Sequence, residues 1–222
     1  MRFPAIIFDF DGVIVDSEIV SNGALAEVLG GYGLAMTREQ AVARYSGLRW
    51  ADCHRLIEQD LGRAVEPGSI EALVDELVAA RAHEVLAIEG IHDFLAGQTR
   101  RRLAIASSSD RLWLDSFLAR LGLAHCFGDH VYSAAHLERG KPHPDVYLMA
   151  AERLALAPAQ CLVIEDHPVG AAAGAAAGAT VIGLTAASHI AAGHDRRLLE
   201  AGARHVARDY GEVAEIIAEL ER

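Results

Sequence analysis

Apolar positions follow two rhythms along this chain, and the change between them divides it. The opening run Ala5-Ile6-Ile7-Phe8 is apolar without a break, which predicts a strand covered on both faces, as in a parallel sheet. From residue 19 to about 86 apolar residues recur at helical spacing instead. Leu25, Val28, Leu29 and Tyr32 mark a first helix, loosened at its end by Gly30, Gly31 and Gly33. Thr37 and Gln40 have capping-box spacing for a short second helix. Gly47-Leu48-Arg49-Trp50 reads as a turn. Cys53, Leu56, Ile57 and Leu61 mark a third helix closed by Gly62, and Ile70, Leu73, Val74, Leu77 and Val78 share one face of a fourth. With no strand among them, these helices predict a small bundle inserted into the chain.

Beyond Gly90 the rhythm alternates. Residues 103–106, 131–132, 161–164, 180–184 and 206–207 read as short strands. Helices between them are marked by Ile91, Phe94 and Leu95, by Leu112, Phe117, Leu118 and Leu121, by Pro144 opening a helix from Asp145, and by Val213, Ile216, Ile217 and Leu220. Gly170, Gly174 and Gly178 lie four apart, a small face on which a helix can approach a sheet. This alternation predicts an α/β fold, a doubly wound parallel sheet built from residues 1–16 and 88–222, with a small α-helical domain over residues 17–87.

Composition narrows the function classes. The 222 residues are 52% hydrophobic and 23% charged, as in a globular protein with a sizeable core. Lys and Arg number 20 against 31 Asp and Glu, so the net charge of −11 predicts no nucleic-acid partner and no anionic membrane partner. The Arg100-Arg101-Arg102 run reads as a solvated loop. Residues 170–188 carry no charge, but their Ala and Gly content is too weakly hydrophobic for a membrane span. Cys53, Cys126 and Cys161 are separated and odd in number, which predicts structural thiols rather than disulfides or zinc ligands. The opening residues do not read as a secretory signal and the cysteine usage fits a reducing cytosol, so a cytoplasmic protein is expected, with monomer as the default state.

The candidate chemistry lies where apolar runs end. Asp9 and Asp11 follow the first strand two residues apart, a spacing that in extended chain aims both side chains at one spot, and Gly12 permits a sharp turn after them. Paired carboxylates repel unless a proton or a cation relieves them, and a hard ion such as Mg²⁺, the usual companion of phosphate, does so. Ligands of doubly wound sheets sit beyond the carboxyl ends of the strands. There the second core strand delivers Ser107 and the fourth delivers Glu165 and Asp166. Lys141 lies at the same edge, in the rigid loop Gly140-Lys141-Pro142-His143-Pro144-Asp145. Each residue also has a plainer reading: a polar turn for the aspartates, helix caps for Ser107 and the acidic pair, a surface lysine for Lys141. Ser108 and Ser109 are expected to cap a helix.

In this order the segments resemble the four motifs of the haloacid dehalogenase superfamily, in its branch with a helical cap after the first strand. Asp9 to Glu18 matches DxDGxxxDSE, Ser107 follows the next core strand, Lys141 sits in GKPxPD, and residues 165–170 read EDxPxG. The subgroup contains β-phosphoglucomutase and many sugar-phosphate phosphatases. The resemblance covers nearly the whole chain. It implies a Rossmann-like core with an inserted helical cap domain, and a Mg²⁺-dependent phosphatase acting on a small phosphorylated metabolite, a sugar phosphate foremost. It further implies that Asp9 is the nucleophile of an aspartyl-phosphate intermediate, that Asp11 is the acid and base, and that Ser107 and Lys141 hold the transferring oxygens. Mg²⁺ would rest on Asp9, the carbonyl of Asp11, Asp166, and Glu165 directly or through water. Asn22, Arg49 and Trp50 are the cap candidates for contact with the leaving group, ahead of His54. Asp16 is expected to fix the loop by the cap, and His143, His167 and His189 to support the site. Two alternatives stay open: a sugar-phosphate mutase, whose linker histidine and cap arginine fall here on Ser21 and Trp50, and a catalytically silent phosphate-binding protein.

Overall fold

The computed structural model describes residues 1–222. Strand β1 (Ala5–Phe8) is followed by a tight loop and the two-residue β2 (Val15–Asp16). Helices α1 (Glu18–Gly31), α2 (Arg38–Tyr45), α3 (Trp50–Leu61) and α4 (Ser69–Ala80) come next, and β3 (Leu86–Ala87) returns antiparallel to β2. The rest alternates: α5 (Ile91–Gly97), β4 (Arg102–Ser107), α6 (Arg111–Arg120), α7 (Ala124–Phe127), β5 (Val131–Ser133), α8 (Asp145–Arg153), β6 (Cys161–Glu165), α9 (Pro168–Ala176), β7 (Thr180–Leu184), α10 (His194–Glu200), β8 (His205–Ala207) and α11 (Tyr210–Leu220). The six long strands form one parallel sheet in the order β5-β4-β1-β6-β7-β8.

Strand parity sorts the core into two halves. Ile6 and Phe8 of β1, Leu103 and Ile105 of β4, and Leu162 and Ile164 of β6 face one hydrophobic cluster, which α5, α6 and α11 cover. Ala5 and Ile7, Ala104 and Ala106, and Cys161 and Val163 face the other, under α8 and α9. Successive side chains of a strand point to opposite faces, so an uninterrupted apolar run signals a sheet packed on both sides. Small residues dominate the second face, and there Gly174 presses α9 onto the sheet; a Cβ on it would stand 2.9 Å from Val181 and 3.2 Å from Val163. Gly178 plays no such part. It has open space around it and a positive φ of 87°, and it serves the turn after α9.

The four helices α1–α4 carry a third cluster of their own, centred on Leu25, Leu29, Tyr45, Ile57, Ile70 and Val74. Thr37 and Gln40 form the expected capping box, and Gly62 closes α3 in the left-handed conformation. Trp50 is not part of a turn, because it opens α3 after Arg49 has taken the N-cap position. The β2–β3 pair and the helices α7 and α10 are absent from the sequence reading. β2, β3 and α7 are too short to display a hydrophobic period, and α10 buries only His194 and Leu198. No helix is long and apolar enough to cross a membrane; the uncharged stretch from residue 170 divides into α9 and β7.

Candidate active site

Parallel register brings the acids together. Phe8 pairs with Ile164, so the next residues of β1 and β6, Asp9 and Glu165, leave the sheet side by side on one face. Lys141 stands between them, its Nζ 2.8 Å from Asp9 Oδ1 and 2.7 Å from Glu165 Oε1. Tyr147 of α8 donates to the same Glu165 oxygen at 2.5 Å, and the backbone N–H of His167 donates to the other at 3.2 Å. Gly170 makes room for this group, since a Cβ there would fall 1.7 Å from Glu165 Oε1. Asp166, one residue on, has opposite parity and turns toward the loop after Asp9. Gly12 gives way to it, because a Cβ at that residue would stand 1.9 Å from Asp166 Oδ2.

Ligand oxygens of Asp9, Glu165 and Asp166 all lie within 4.8 Å of one another. Burial and the neighbouring Glu165 push the Asp9 carboxyl well above the usual carboxylate range, against the pull of Lys141. Burial alone would lower Lys141, yet Asp9 and Glu165 hold its ammonium above the ordinary value. With all three carboxylates ionised, the Lys141 ammonium and the His189 imidazole beside Asp166 leave the buried cluster with an excess of negative charge. A divalent cation of the hard, oxygen-seeking kind fits that deficit and that donor set.

Asp11 goes elsewhere. The strand ends at Phe8, and Phe10 O receives the N–H groups of Val13, Ile14 and Val15 in a tight loop, so the period of two stops before Asp11. Its carboxylate is not among the three that converge. It accepts hydrogen bonds from Ser17 Oγ and Ser109 Oγ, both at 2.5 Å, and from Trp113 Nε1 at 3.1 Å. Burial still raises its carboxyl, with those three donors pulling the other way. Ser109 is therefore no helix cap, and neither is Ser108, whose hydroxyl donates to Gly47 O at 3.2 Å; Asp110 caps α6 instead. Ser107 is fully buried, and its Oγ accepts the N–H of Ser109 at 3.1 Å.

A cavity of about 690 Å³ opens from Asp9, Asp11, Ser107 and Asp166 toward α1–α4. Asn22 and Trp50 line it. The Asn22 amide also holds Glu18 Oε2 at 2.5 Å, and Ser46 Oγ donates to that oxygen at 2.6 Å. Burial pushes the Glu18 carboxyl up to about 7. Arg49 does not line the cavity. Its guanidinium is paired with Asp52 at 2.6 Å and reaches across to the carbonyls of Leu137 and Glu138, over Gly140, which has no side chain to obstruct it. His54 faces Glu58 at 3.5 Å, outside the cavity. Asp16 accepts the Ser188 N–H and hydroxyl at 3.2 and 3.0 Å and ties β2 to the loop after β7. His189 stands 3.2 Å from Asp166, His167 caps α9, and His194 contacts the Asp166 carbonyl at 2.5 Å. Cys53 borders the cavity as an inert thiol, pushed up to about 12 by burial.

Ser17, Ser109, Trp113 and Tyr147 are the contributors that sequence reasoning passed over. Only Ser17 had a visible signal, as part of the Asp16-Ser17-Glu18 run. Trp113 packs against both the sheet's cluster and that of the four helices while its indole N–H reaches Asp11.

Comparison with known proteins is consistent with this geometry. Residues 6–184 match the family model of the haloacid dehalogenase-like hydrolases. The chain is 34% identical over 179 residues to a fructose-1-phosphate phosphatase of Escherichia coli, covering 80% of this chain and 94% of that one. A 6-phosphogluconate phosphatase of the same organism is 25% identical over 189 residues, 85% of each chain. Among solved structures, a hydrolase of Deinococcus radiodurans determined with bound phosphate and sodium superposes with a TM-score of 0.77 at 33% identity, covering 98% of this chain and 96% of that one.

Proposed function

Because the chain belongs to the haloacid dehalogenase-like hydrolases, we propose that it is a Mg²⁺-dependent phosphatase of a small sugar phosphate, working through an aspartyl phosphate on Asp9. The observation that carries this reading is the buried Asp9–Lys141–Glu165 arrangement with Asp166 beside it, from which Asp9 and Asp166 open onto a cavity of about 690 Å³. The phosphatase names of the relatives and the phosphate bound in the Deinococcus hydrolase support it.

In this reading Asp9 and Asp166 hold the cation, together with the Asp11 carbonyl. Glu165 acts through water, since both of its oxygens already receive donors from the protein. When bound, the ion neutralises charge on the phosphoryl oxygens. The carboxylate of Asp9 attacks phosphorus, and the bond to the leaving oxygen breaks as that oxygen takes the Asp11 proton. A water then attacks the aspartyl phosphate, Asp11 recovers a proton from it, and inorganic phosphate leaves with Asp9 restored. Ser107 and the Lys141 ammonium restrain the transferring group, and Ser17, Ser109 and Trp113 aim Asp11 at the leaving oxygen. The helical segment, residues 17–87, serves as the cap domain that closes the site and contacts the leaving group through Trp50 and Asn22. Three free cysteines fit a reducing cytoplasm.

Phosphate release from a panel of sugar phosphates, with and without Mg²⁺, tests the reading. Turnover without any added bisphosphate identifies a phosphatase rather than a mutase. Asp9→Asn should abolish it; an active Asp9→Asn variant would remove Asp9 from the chemistry.

A further inference from the structure

The charges that line the cavity are all of one sign. None of its lining residues is Lys, Arg or His. Away from the phosphate end, Glu18 and Asn22 of α1, Glu71 and Asp75 of α4, and Asp110 ahead of α6 face the space. Glu71 and Asp75 lie one helical turn apart and make no side-chain hydrogen bond or ion pair, so their oxygens are free acceptors. Burial raises both carboxyls; Asp75 and Asp110 raise Glu71 further, Asp110 raises Asp75, and the one opposing influence is His54 on Glu71. Arg49, next to the lining Trp50 in sequence, is spent on Asp52 and on backbone carbonyls of the loop before Lys141.

A free carboxylate accepts hydrogen bonds from hydroxyl groups and repels carboxylates and phosphates. Trp50 and Trp113 add apolar faces on which a carbon chain can lie. Resting on the phosphatase reading above, we infer that Glu71 and Asp75 select an uncharged, polyhydroxylated leaving group and reject one bearing a second anionic group. The relatives leave this point open, because a fructose leaving group is neutral and a gluconate one is charged.

The test compares kcat/KM for fructose 1-phosphate with kcat/KM for 6-phosphogluconate and fructose 1,6-bisphosphate. Tenfold or more in favour of the first is expected, about the effect of 1.4 kcal/mol of repulsion. In the Glu71→Gln/Asp75→Asn double variant that ratio should fall toward one, which loss of packing alone would not bring about. A native ratio near one, or a ratio that the double variant leaves unchanged, overturns the inference. Quenching of Trp50 and Trp113, the chain's two tryptophans, reads the same selection by binding in the Asp9→Asn variant, without turnover. No phosphate release from any substrate would therefore sink the phosphatase reading alone, while equal binding of neutral and anionic ligands would sink this one.

Discussion

Both ends of the cavity are acidic, yet their acids are held in opposite ways. At the sheet end Asp9, Glu165 and Asp166 are buried; Lys141, Tyr147 and the His167 N–H hold Asp9 and Glu165 at fixed distances, and His189 stands 3.2 Å from Asp166. At the helical end Glu71 and Asp75 are at least partly open to solvent and have no partner. Buried charge without compensation is costly, so the first arrangement persists only because every group has a donor or a cation, and it is correspondingly rigid. The second is tolerated because water solvates it, which leaves its oxygens available to a ligand. The first matches the chemistry proposed for Asp9, the second the selection inferred for Glu71 and Asp75.

Removing the cation from the sheet end should have the largest effect. Lys141→Met leaves Asp9 and Glu165 buried together without an ammonium, so a stability loss of about 3–5 kcal/mol is expected in urea unfolding. Activity should fall about 10²- to 10³-fold in any refolded fraction. If stability stays within 1 kcal/mol, the sheet end is less tightly compensated than its distances indicate. Next comes the room behind Glu165. Gly170→Ala introduces a Cβ that collides with its carboxylate, and about 1–3 kcal/mol of destabilisation should follow. Gly30→Ala, in an open stretch of α1, should instead stabilise by about 0.5–1 kcal/mol.

Glu18 lies between the two ends, and pH tests it. Its carboxyl is raised from 4.5 to about 7, chiefly by burial. Between those values the folded protein keeps a proton that the unfolded chain has released, so stability is full below pH 4.5 and declines as pH rises through 7. Because the carboxyl borders an open cavity, the decline should be about 1–3 kcal/mol, less than full burial would give. Glu18→Gln should flatten that slope in thermal melts taken across the range. The smallest effect is expected at Arg49, which ties α3 to the loop before Lys141. Arg49→Met should raise KM about two- to fivefold with kcat nearly unchanged, in line with 1 kcal/mol or less from a partly exposed pair. A large drop in kcat would instead mean that this tie positions Lys141.

Much of the sheet end was readable in advance. Asp9, Ser107, Lys141 and the Glu165-Asp166 pair sit where apolar runs stop, and a doubly wound sheet gathers such ends at one edge. Asp11 was readable as a candidate but not in its direction, because the rule of alternating side chains holds only while the strand lasts, and the strand had already ended. Ser108 and Ser109 read as helix caps because capping is what serine does locally; their actual partners, Gly47 and Asp11, are distant in sequence. Arg49 looked like a ligand for substrate for the same reason, since its carbonyl partners lie 88 and 89 residues away.

The amino-acid order by itself determined the longer elements, the two-faced burial of the central strands and the chemical type of each residue at the strand ends, because these depend on periodicity and on neighbours a few positions away. Tertiary structure alone decided which oxygens meet. Register between β1 and β6 placed Asp9 against Glu165, the loop after Phe8 sent Asp11 toward Trp113, and packing of the four helices over the sheet left Glu71 and Asp75 facing the cavity while Arg49 turned away. Those outcomes depend on which surfaces are brought into contact, and no local pattern encodes that.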